Sequence, residues 1–118
     1  MPREYGRNRR VADQVQRELA VFIQRDLGDA GLGLITVSTV DVSPDLKNAR
    51  VYITVLGTNV DNAEIIDILN ERAGHFRHEL AKSLTMRSVP RLAFVFDSSV
   101  ERGNRLSALI DSLHKDNE

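Results

Sequence analysis

Apolar residues recur at Ile65, Leu69, Ala73, Phe76, Leu80 and Leu84, in steps of four, four, three, four and four. That is the period of one buried helical stripe, so residues 65–84 must lie along a common core. Gly74 sits inside this stripe, although glycine in a helix interior costs about 1 kcal/mol relative to alanine. The spacing therefore predicts two helices meeting at a break. The first ends near Ala73, the chain turns at Gly74, and the second begins with His75 or Phe76. Such a break leaves backbone N–H groups at the new helix start, together with a partial positive charge of about half a unit. A residue lacking a β-carbon lets a phosphate approach that backbone closely. The alternative is packing: the glycine admits a neighbouring helix or strand, and the basic residues around it are solvated.

The remaining elements follow from local pattern. Val11, Val15, Leu19, Phe22, Ile23 and Leu27 form a second helical stripe, which should stop at "GDAGLG". "LITVSTVDV" is rich in β-branched residues and reads as a strand. Its alternation changes phase between Val37 and Val40, which predicts a bulge or a strand buried on both faces. "SPDLKN" has turn chemistry, and "ARVYITVL" alternates cleanly after it, so the two strands form an antiparallel hairpin. Asp61 with Glu64 makes a capping-box-like pair at the start of the helical region. Pro90 disfavours helix at Val89. "LAFVF" is apolar on both faces and reads as an inner strand. A last helix, capped by Ser98 or Ser99, carries Leu106, Leu109, Ile110 and Leu113. The order α-β-β-α-α-β-α implies one α+β domain over residues 1–118, with helices packed on a small sheet. Residues 1–10 form a basic N-terminal arm, expected to be mobile until bound, and residues 115–118 a frayed tail.

Net charge is −1, which by itself argues against a nucleic-acid binder. The distribution argues otherwise. Residues 1–10 carry four arginines and one glutamate, whereas residues 26–71 carry eight acids against Lys47 and Arg50. Residues 72–91 carry Arg72, Arg77, Lys82, Arg87 and Arg91 against Glu79 alone. A molecule with a basic and an acidic zone can hold an anionic polymer on one side. The absence of cysteine excludes disulfides, and no apolar run reaches the length of a signal peptide core or a membrane span. The chain reads as cytosolic.

A β-hairpin, two helices meeting at a glycine, then a strand is the layout of a type II KH domain. KH domains clamp nucleic-acid backbone at a Gly-x-x-Gly loop between two helices. Here one glycine stands where that loop has two. The segments "GRNRRVADQVQREL", "GLGLITVSTVDVSPDLKNARVYITVL" and "GHFRHELAKSLTMRSVPRLAFVFDSSVERG" together resemble the ribosome-binding factor A family over nearly the whole chain. The resemblance implies a KH-like fold with a three-stranded sheet, in which an Ala-x-Gly kink replaces the Gly-x-x-Gly loop. Gly74 matches the kink glycine, and Arg72 stands where the family has alanine. It further implies binding to free 30S ribosomal subunits through 16S rRNA, and support of late subunit maturation and rRNA processing without catalysis. Other assembly factors, a GTPase among them, are candidate partners. A monomer without cofactor, metal or membrane attachment is expected.

The candidate RNA-binding residues are Arg7, Arg9, Arg10, Arg72, Gly74, Arg77, Lys82, Arg87 and Arg91. They would attach mainly to phosphates, with little readout of sequence. Tyr5 and Phe76 could stack on a base, although Phe76 belongs to the core by its place in the stripe. Two other classes compete with this reading. His75, His78 and Glu79 lie on adjacent turns, a spacing found among metal ligands, but the sequence offers no third ligand, Walker loop or nucleophile elbow. A protein-interaction module acting through the acidic stretch Asp41 to Glu71 is the other alternative.

Overall fold

The computed structural model describes residues 6–84 and 88–98. Arg3, Tyr5, Arg87, the expected last helix and the tail at 115–118 lie outside the described residues. The elements run α1 (Arg7–Leu27), β1 (Leu34–Val42), β2 (Asn48–Leu56), α2 (Asn62–Glu71), α3 (Ala73–Ser83) and β3 (Arg91–Phe96). One sheet has the order β1-β2-β3, with β1 antiparallel and β3 parallel to the central β2. This is the α+β, KH-like arrangement.

Period-two alternation in β2 turns Ala49, Val51 and Ile53 to one face of the sheet. There they meet Val37, Val40 and Val42 of β1 and Leu92 and Phe94 of β3. The three helices cover that face. Val15, Leu19 and Ile23 come from α1, Ile65 and Leu69 from α2, and Phe76 and Leu80 from α3, all essentially without solvent contact. Burial of each such side chain contributes about 1.5–3 kcal/mol. The stripe that runs through Gly74 is therefore a single core-facing seam shared by two helices. Phe76 lies edge-on to Phe94, with ring centroids 5.9 Å apart, so it is core and has no face for stacking on RNA.

The change of phase in β1 is a bulge: register shifts between Val37 and Thr39. The extra residue, Ser38, turns its hydroxyl to the Tyr52 carbonyl and to Asp97. From α1, Gln16 donates to the carbonyls of Val37 and Ser38, and Asn8 to that of Val42 at 3.2 Å. Helix α1 thus runs antiparallel to β1, its first turn lying where β1 ends. Gly33 holds φ at +80°, and a β-carbon there would strike the Leu56 carbonyl, so this loop closes on β2 only with glycine.

Four expectations change. Helix α1 starts at Arg7 rather than Val11, so Arg7, Arg9 and Arg10 are helical residues and not part of an arm. Strand β3 lies at the edge of the sheet and is not an inner strand. Midway along its outer backbone, the Asn70 side chain donates to the Phe94 carbonyl and accepts from the Phe94 N–H at 2.8 Å. That pairing blocks the middle of an otherwise open edge ladder. Asp61 precedes α2 but makes no side-chain capping bond; its carbonyl accepts from the Ile65 N–H. The helix break falls at Arg72, two residues before the expected turn.

Candidate nucleic-acid interface

Arg72 separates α2 from α3 with φ −96° and ψ 4°, and its N–H is shared between the Ile68 and Leu69 carbonyls. This bridge conformation is open to residues with a β-carbon, which explains how arginine occupies it. The Arg72 side chain is exposed. Among the described residues, no side chain caps the start of α3.

Gly74 lies in the first turn of α3, in right-handed helical conformation and exposed. Among the described residues, a β-carbon placed on it would meet nothing within 4 Å. The turn reading therefore fails at this residue, and among the described residues no close neighbour requires glycine. What it leaves is a bare stretch of helix backbone facing outward. It lines a shallow groove with Arg77, His78, Ala81, Ser88 and Val89.

Arg77 is the fixed cation of this surface. Its Nε donates to the Val89 carbonyl at 3.0 Å, which ties α3 to the segment before β3. Arg77, Ser88 and Val89 also line a neighbouring crevice of about 430 Å³ with Leu46, Lys47, Asn48 and Arg91. Arg91 is the exposed first residue of β3, opposite Asn48 in the parallel register, and its N–H donates to the Lys47 carbonyl. Position along the chain groups Lys47 with the acidic stretch, but the fold sets it among the basic residues. The missed signal is strand pairing: a β3 parallel to β2 must begin beside the hairpin turn.

That turn is tightly determined. The Ser43 carbonyl accepts from the Leu46 N–H at 2.9 Å, and Asp45 accepts from both the Ser43 hydroxyl and the Lys47 N–H. The Ser43 hydrogen bond first, and the Lys47 amide second, hold the Asp45 carboxyl below its ordinary range. Leu46 has φ +64°, a left-handed conformation that costs a β-carbon residue roughly 1–2 kcal/mol. It is half-buried against the core, which offsets that strain.

Lys82 is elsewhere. Positions 75, 79 and 82 share the side of α3 that faces α1. There Glu79 accepts from Arg25 at 3.2 Å and from Lys82 at 3.4 Å, while His75 Nε2 lies 3.2 Å from Asp26. The Arg25 guanidinium hydrogen-bonds Asp26 and lowers its carboxyl, with a smaller contribution from His75. For Glu79, desolvation pushes the carboxyl upward, but hydrogen bonds from Arg25 and Lys82 outweigh it and the net shift is down. His75 and Glu79, two residues of the metal-ligand alternative, are engaged in these pairs.

Of the candidates, Gly74 and Arg77 share one groove and Arg91 joins Arg77 through the crevice, whereas Arg72, exposed at the α2–α3 junction, lines neither. Arg7, Arg9 and Arg10 occupy the first turn of α1 at the same end of the sheet, where Asn8 borders a second groove whose charged lining is Asp41 and Arg50. The acidic stretch does not make one face. Asp41 pairs across the strands with Arg50, Asp45 builds the turn, and Glu64, Asp67 and Glu71 are exposed on α2. Among the described residues no helix is long and apolar enough to cross a membrane.

Comparison with known proteins places this arrangement. The sequence profile of the ribosome-binding factor A family matches residues 7–110. The chain is similar to the ribosome-binding factor A of Ectopseudomonas mendocina, 49% identical over 94% of this chain and 88% of that one. It is similar also to that of Nitrosococcus oceani, 50% identical over 94% and 87%. Among solved structures, the crystal structure of ribosome-binding factor A from Thermus thermophilus matches 75% of this chain and 93% of its own, with TM-score 0.65 and 30% identity. A homology model of the Thermus thermophilus protein, fitted into the cryo-EM map of a complex of the 30S subunit with ribosome-binding factor A, matches 74% of this chain and 91% of its own, with TM-score 0.63 and 30% identity.

Proposed function

The chain belongs to the ribosome-binding factor A family, and from that premise we propose that it binds the free small ribosomal subunit through 16S rRNA. It acts there without catalysis, as a cytoplasmic monomer with one KH-like domain, in late subunit maturation and rRNA processing. Attachment is to phosphates, along the outward side of the α2–α3 junction.

The observation that carries this reading is Gly74. A residue that weakens its helix by up to about 1 kcal/mol stands where a β-carbon would meet none of the described residues. Among the described residues, nothing uses the place of the missing side chain. An external group that approaches the backbone does, and Arg77 in the same groove favours a negative one. First-turn amides and guanidinium groups are suited to phosphate oxygens. The fit of a Thermus relative into a 30S complex map supports the same partner.

Sedimentation with separated small subunits, large subunits and whole ribosomes tests the proposal. Co-migration with free small subunits alone is the expected result. Equal binding to all three, or to none at low salt, would refute it.

A further inference from the structure

The crevice beyond Arg77 adds a residue and a direction to this interface. Its cations come from three separate parts of the chain: Lys47 from the hairpin turn, Arg77 from α3 and Arg91 from the start of β3. Among the described residues no carboxylate lines it, and its remaining polar lining is Asn48 and Ser88. Within the same residues, none of these three cations forms a close ion pair, although the Lys47 charge also acts on Asp45 in its own turn. Arg77, Ser88 and Val89 also belong to the groove at Gly74, so the two depressions adjoin along these residues.

We propose that this crevice is a phosphodiester subsite: an RNA strand that passes the bare backbone at Gly74 continues beyond Arg77 and sets its next phosphate group between Lys47 and Arg91. The inference rests on the RNA-binding reading given above and extends its footprint from one helix junction to the hairpin turn. Two features make the crevice a prepared site. The Arg77 guanidinium is already oriented by the Val89 carbonyl, so little side-chain freedom is lost when its other nitrogens meet a phosphate. Lys47 is presented by a turn whose backbone is held by Ser43, Asp45 and the left-handed Leu46. The hydrogen bonds of Lys47 run through its main chain, to Asp45 and to the Arg91 N–H. Replacing its side chain therefore leaves the turn intact.

The test is equilibrium binding of full-length protein to purified small subunits over a range of potassium chloride concentrations. Lys47→Ala is expected to weaken binding about five- to tenfold and to make the log–log salt slope shallower by about 1. Lys47→Glu is expected to weaken binding further, and Lys47→Arg to stay within about twofold of the original. Circular dichroism should be unchanged in all three. Unaltered affinity and slope in Lys47→Ala, with the original protein binding normally, would overturn the subsite alone. Failure of the original protein to bind small subunits at low salt would overturn the functional reading and the subsite with it.

Discussion

The two sides of α3 carry similar charges and use them differently. Toward α1, His75, Glu79 and Lys82 meet Arg25 and Asp26, and every carboxylate there has a cationic partner. Toward the segment before β3, Gly74 and Arg77 lie in a groove that leads to Lys47 and Arg91, and Arg77 donates to a neutral carbonyl. A positive charge matched within the molecule adds little field outside it. The count of basic residues between 72 and 91 therefore overstates one side of the helix and understates the other, because Lys82 is matched and Lys47 belongs to a different stretch.

The largest expected effect lies on the unmatched side. Arg77→Ala combined with Arg91→Ala should weaken binding to purified small subunits by roughly tenfold or more, since two charge-assisted phosphate contacts are removed. Filter binding with thermal melting as a control checks this; an equal loss from Lys82→Ala would erase the distinction between the sides. Gly74→Ala comes next. It should weaken binding about fivefold while stabilising the free protein by about 0.5–1 kcal/mol, because alanine favours the helix and its β-carbon meets none of the described residues. A variant both more stable and equally tight would remove the glycine from the interface.

On the matched side the effects are small. Lys82→Ala should change subunit affinity by less than about twofold, as for other exposed ion pairs, and Tm by about one degree. The carboxyl of Asp26 lies below its ordinary range, chiefly through the Arg25 hydrogen bond. Its contribution to stability is therefore present above the unfolded aspartate value of about 3.9 and is lost as pH falls through the lower folded value. Asp26→Asn should make Tm slightly less sensitive to pH between about 5 and 3; an unchanged profile would show that the α1–α3 pairs contribute nothing there.

Much of the fold was legible because it rests on periodicity. The stripe from Ile65 to Leu84 is buried in full at Ile65, Leu69, Phe76 and Leu80, and the hairpin and its bulge follow from the phase of β-branched residues. The break was legible in kind but misplaced. Glycine draws expectation to itself, whereas the bridge conformation at Arg72 needs no glycine. The edge position of β3 was hidden because its cover is one amide, Asn70, from a helix far off in sequence. The candidate site was half legible for the same reason. Charge read along the chain finds Arg72, Arg77 and Arg91 but cannot see that a parallel strand brings Lys47 to them, or that the turn of α3 carries Lys82 away.

Salt dependence of small-subunit binding tests the central claim most directly. The original protein should show a log–log slope of about −3, as for four or five phosphates on RNA. Arg77→Ala with Arg91→Ala should reduce the slope by about 2 and Lys82→Ala should leave it unchanged. A slope near zero for the original protein, or equal flattening by both variants, would contradict attachment through the unmatched side of α3.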